Sequence, residues 1–82
     1  MSPNDEGFWG TDPIEGRYAN YFEVGHNAIE FLLDFGQYYP DRQQARMYTR
    51  IITSPIYAKE LFKTLGESIE QYEQTFGVIS HA

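Results

Sequence analysis

An apolar repeat begins just after Ser54-Pro55 and runs unbroken through Ala58, Leu61, Phe62, Leu65, Ile69, Tyr72 and Phe76. Spacings of three and four keep all seven side chains on one face of an α-helix for roughly five turns. Its start and stop are also written in the chain. Ser54 suits the N-cap, where its hydroxyl accepts from a free backbone N–H. Pro55 at the first helical position forfeits no hydrogen bond and already has the right φ. Gly77 is a good residue for the position just past the end. The predicted helix is about 30 Å long, with Lys59, Lys63, Glu67, Glu70 and Glu73 mostly off the stripe.

Upstream the period changes from 3.6 to 2. Tyr18 to Val24 is rich in aromatic and branched residues and reads as a strand. Gly25-His26-Asn27 follows as a turn, because Gly and Asn tolerate positive φ. In Ala28 to Phe35, Ile29, Phe31, Leu33 and Phe35 point one way, and Glu30, Leu32 and Asp34 the other, which favours a strand over the competing helix reading. Gly36 to Gln44, with Pro40 and Asp41, reads as a polar connection. Ala45 to Thr53 is the third strand. The expected fold is α+β: a three-stranded antiparallel β-meander packed on one face by the long C-terminal amphipathic helix.

Charge suggests a register. Centring the second connection on Pro40 sets Asp34 opposite Arg46, Glu30 opposite Arg50 and Leu32 opposite Tyr48. Leu33 then meets Met47 and Ile29 meets Ile51 on the core face. Directly opposed charges contribute roughly 0.2–1 kcal/mol each.

The chain has 82 residues, room for one domain. A core this small is marginal, and such domains often need a disulfide, a metal or a second subunit. Cysteine is absent, so disulfides and thiolate zinc sites are excluded. A second subunit is the staple left. Residues 1–16 read as a flexible acidic arm holding Pro3, Pro13, three glycines and four acids. Residues 17–79 form the domain and 80–82 a tail. Phe8-Trp9, two large aromatics in the arm, either dock on the domain or its mate or bind a partner.

The net charge of -6 argues against a nucleic-acid or anionic-membrane partner, since phosphate contacts need a basic surface. No apolar run approaches the ~20 residues of a membrane span. The N-terminus lacks the basic and apolar stretches of a secretory signal. A cytoplasmic setting is expected.

Chemistry is hard to find. Glu23, Glu30 and Asp34 could be paired carboxylates, but they fall on an open sheet face with arginines opposite two of them. His26 lies in a turn and His81 in a tail, so neither makes a convincing metal site. Ser54 is explained by capping, and no glycine-rich phosphate loop exists. The expectation is a non-enzymatic protein with no cofactor and no metal.

Aromatic residues say more. Seven tyrosines and six phenylalanines are many for this length, and aromatic groups dominate interface hot spots. Tyr21, Leu32, Tyr48 and Ile52 are expected to form a stripe on the sheet face away from the helix, edged by Arg50 and its neighbours. Gly66 sits mid-helix at a cost of about 1 kcal/mol against Ala. It would permit close backbone approach to the sheet or to a second helix. The helix is also charged against its dipole, with lysines near the start and acids near the end. Basic partners on another subunit would account for that. The expected interface residues are thus Phe8, Trp9, Tyr21, Leu32, Tyr48, Arg50, Ile52 and Gly66.

Several motifs together resemble a small prokaryotic family of unknown function. They are the Ser54-Pro55 helix start, Ala58-Lys59-Glu60-Leu61, and the ending Tyr72-Glu73-Gln74-Thr75-Phe76-Gly77. The run from Arg17 to Val24 and the run from Phe31 to Gly36 match its N-terminal half. The resemblance covers about residues 17–79 and implies no catalytic residues. At the level of topology the chain is also similar to the export-chaperone (SecB-like) fold, which normally has four strands where three are read here. The function expected is a homo-oligomeric, dimeric protein-interaction module, with a chaperone-like or adaptor role through an exposed aromatic sheet face as the alternative.

Overall fold

The computed structural model describes residues 13–81. Three strands, β1 (Tyr21–His26), β2 (Phe31–Tyr39) and β3 (Gln44–Thr53), form one antiparallel sheet in the order β1-β2-β3. Helix α1 (Pro55–Phe76) follows. The α+β class and the C-terminal helix match the sequence expectation. Ser54 caps α1 through its hydroxyl, which accepts from Tyr57 N–H at 3.4 Å, and Pro55 opens it.

The β1–β2 turn forms later than expected, over residues 27–30. The Asn27 side chain builds it, with Oδ1 accepting from the backbone N–H of Ile29 at 2.9 Å and Glu30 at 2.8 Å. An Asx turn of this kind replaces strand bonds with local ones. Ile29, expected in the core, is therefore exposed at the turn.

The β2–β3 connection is shorter than expected and displaced. β2 runs straight through Gly36 to Tyr39, and Pro40 sits second in a turn closed by Arg42 N–H to the Tyr39 carbonyl at 3.1 Å. Gln43 then takes a left-handed φ of 48°. This moves the register: Asp34 pairs with Arg50, Leu32 with Ile52 and Leu33 with Ile51. Arg46 lies opposite Gln37, and Glu30 is in the turn. The charge-based pairing of Asp34 with Arg46, and of Glu30 with Arg50, is corrected accordingly. The shift is even along this stretch, so Leu33 and Ile51 still share one face and Asp34 and Arg50 the other.

A bulge explains the rest. Phe35 pairs with Thr49 but Gly36 pairs with Met47, leaving Tyr48 without a residue opposite. Gly36 is buried there, and a Cβ would lie 2.3 Å from the Arg46 carbonyl oxygen and 2.7 Å from the Met47 sulfur. Only glycine allows that approach. Tyr48 is thus not opposite Leu32.

The largest departure concerns α1. It was expected to lie on the sheet, yet the extensive contacts are between β1 and β2 and between β2 and β3, and α1 has none comparable with any strand. Its connection to β3 is the single residue Ser54, extended at φ -86° and ψ 162°. Proline at the next position disfavours helical geometry at Ser54. Without a longer connection the helix leaves the end of β3 rather than turning back over its own sheet. No apolar residue among those described is fully buried. Among the described residues, no helix is long and apolar enough to cross a membrane.

Candidate functional site

Alternation along the strands places Phe22 and Val24 of β1, Phe31, Leu33 and Phe35 of β2, and Ile51 of β3 on one face. Phe22 meets Phe35 edge-on with ring centroids 5.8 Å apart, and His26 stacks on Phe31 at 5.3 Å. These pairs knit the face laterally; Ile14, Glu15, Arg17 and Ala19 of the segment before β1 lie beside Phe35 and Ile51, and among the described residues the rest of the face is uncovered. Val24 is 63% exposed and Phe22 58%. At the loop end the same face turns polar, with Gln37, Tyr39 and Arg46.

The stripe of α1 is equally bare. Leu61, Phe62, Leu65, Ile69, Tyr72 and Phe76 are all exposed, Phe62 to 80%. Tyr72 and Phe76 touch one another along the helix, with ring centroids 5.0 Å apart. Among the described residues, two apolar surfaces on one chain thus stay largely open to solvent.

The opposite sheet face is different in kind. Arg50 grips Asp34 with two hydrogen bonds, Nε to Oδ1 and Nη2 to Oδ2, both 2.8 Å. Asp34 is 15% exposed against 60% for Arg50. The hydrogen bond from Arg50 holds the Asp34 carboxyl below its ordinary range, and Asp34 in turn raises the Arg50 pKa. Leu32 and Ile52 flank the pair, one half-buried and one exposed. On β1, Tyr21 donates its phenol to Glu23 at 3.2 Å, and that hydrogen bond raises the Tyr21 pKa.

The structure therefore brings Tyr21, Leu32, Arg50 and Ile52 onto one face, as expected. Tyr48, at the bulge, has no residue opposite it on β2. Its hydroxyl donates to the Tyr18 carbonyl, and Arg17 lies over its ring at 3.9 Å. Gly66 faces open space. Phe8 and Trp9 lie outside the described residues. Reading by sequence passed over Phe22, Val24 and Phe35 as candidate interface residues, although their alternation was visible. Among the described residues, no three His, Asp or Glu side chains gather as a metal would require.

No curated protein and no solved structure matches the chain. The similarity to the export-chaperone fold gains no support, and the sheet has three strands. One family does match, over residues 3–81, nearly the whole chain, and it includes every motif quoted above. The chain belongs to that family, described as a protein of unknown function (DUF3467).

Proposed function

We propose that this protein is a non-catalytic module that works by associating with copies of itself. The carrying observation is the unfinished core: an apolar sheet face and an apolar helix stripe, both exposed on one chain. Burying apolar surface is the dominant favourable contribution to folding, at about 25 cal/mol per Å². A chain that leaves both faces in water lacks that contribution until a partner supplies it. The cysteine-free composition supports a cytoplasmic setting.

Sedimentation equilibrium of the full chain at micromolar concentration tests the reading. A dimer or a higher homo-oligomer is the expected species. A monomer that unfolds cooperatively, with a midpoint independent of concentration, overturns it.

A second reading is an adaptor that captures other protein chains. The face carrying Tyr21, Leu32 and Ile52 favours it, because that face stays open when the first is covered. Cross-linking in native cells, comparing wild type with Ile52→Glu, addresses it. A heterologous partner lost in the variant is expected, and a partner set unchanged by the substitution counts against it.

A further inference from the structure

We infer that the occupant of the exposed part of the apolar sheet face, around Phe22, Val24, Leu33 and Ile51, is helix α1 of a second copy, given reciprocally, so that two chains exchange helices. This rests on the self-association proposed above and names its geometry.

Three observations carry it. The first is the hinge. Connections between strands and helices are usually about 2–6 residues. Here one residue, Ser54, separates Thr53 from Pro55, and it is extended. A hinge too short to fold back favours exchange of the same element between copies. The contacts a helix would make with its own sheet then become contacts between chains.

The second is fit. α1 has 22 residues, about 33 Å of helix. β2 has 9 residues, about 31 Å of strand. The chain exposes 7346 Å², whereas a compact monomer of its 9.6 kDa exposes about 5,100 Å². Part of that excess is apolar surface that a second copy would cover.

The third is charge, and it sets the direction. The second half of α1 carries Glu67, Glu70 and Glu73, with no basic residue in its last turn. Against its own dipole this is unfavourable. The loop end of the sheet carries Arg42 and Arg46 against the single acid Asp41, with Arg46 on the apolar face itself. Glu30 lies in the turn at the other end. A partner helix running from the 27–30 turn toward the 40–43 loop sets its lysines near Glu30 and its acids near the arginines. It also starts beside Thr53, where the recipient's own helix leaves. The two hinges then lie together on a two-fold axis, and the assembly closes as a dimer.

Two measurements on the full chain test this. Isotope-labelled and unlabelled copies are unfolded together, refolded, and read by isotope-filtered NOE spectroscopy. Contacts between chains linking Leu65 and Ile69 to Leu33 and Ile51 are expected. Separately, about four Gly/Ser residues are inserted between Thr53 and Ser54, an ordinary connection length. The inserted chain is expected to become a folded monomer, with the same helix-to-sheet contacts now within one chain. A dimer whose inter-chain contacts join only helix to helix, or sheet to sheet, overturns exchange while leaving self-association standing. A wild-type monomer overturns both. An insertion variant that stays dimeric with unchanged inter-chain helix-to-helix contacts also overturns exchange.

Discussion

Gly36 of β2 and Met47 of β3 are packed so closely that a Cβ on the glycine would sit 2.7 Å from the methionine sulfur. The Arg46 carbonyl oxygen is nearer still, at 2.3 Å, and being backbone it cannot simply rotate away. Gly36→Ala is therefore expected to destabilise by about 1–3 kcal/mol, the usual cost of overpacking. Urea unfolding followed by circular dichroism measures it. Wild-type stability in the alanine variant would show that the bulge yields freely.

That glycine also marks where the sequence was legible and where it was not. Strand periodicity, the Ser54 cap and the Phe76–Gly77 boundary are local, so they could be read directly. Gly36 looked like the end of a strand because it interrupts an apolar run and precedes polar residues. Its role depends on what lies across the sheet, which alternation alone does not show. Taking it as a break moved the turn toward Pro40 and carried Asp34 to Arg46 instead of Arg50. The site fared similarly: Leu32, Arg50 and Ile52 kept their common face, while Tyr48 lost its opposed residue at a bulge that charge pairing does not register. The hinge was present in the sequence as Thr53-Ser54-Pro55, but amphipathic patterning says only that a stripe must be covered, not by which chain.

Asp34 gives a pH dependence with a definite sign. Its folded-state pKa is lowered, first by the hydrogen bond from Arg50. The unfolded state therefore binds the proton more readily. The pair's contribution is present above the unfolded carboxylate value of about 3.9 and is lost as pH falls through the folded value. Wild-type stability is expected to decline below about pH 4 more steeply than that of Asp34→Asn. Unfolding midpoints from pH 2 to 6 check this, and parallel curves for the two proteins would contradict it.

Leu65 separates an incidental stripe from a working one. On a helix that stays in water, Leu65→Ala costs nothing, since alanine is the better helix former. On a covered helix it costs about 2–5 kcal/mol. The larger loss is expected, together with weaker association in sedimentation. A variant as stable and as associated as wild type would mean the stripe stays bare.

Gly66 provides the complementary measurement. Among the described residues, nothing lies within 4 Å of an added Cβ. Gly66→Ala is expected to stabilise by about 1 kcal/mol through helix propensity. A loss instead would place a second backbone against that side of α1.

Ser54→Ala removes the cap on Tyr57 N–H. A loss of about 1 kcal/mol is expected, read as a lower thermal midpoint. If the hinge works as inferred, the oligomer stays the same, because Pro55 still governs the exit direction.

If a second copy covers the stripe of α1, as inferred above, there is a consequence in the cell rather than in the fold. A chain whose core is completed by another copy has a folded fraction set by its own abundance, because association and folding are one equilibrium. Dilution then acts as a denaturant and synthesis as a chaperone. Below a threshold copy number such a protein is fed to proteases, and above it the survivors protect one another. Expression level itself becomes the switch.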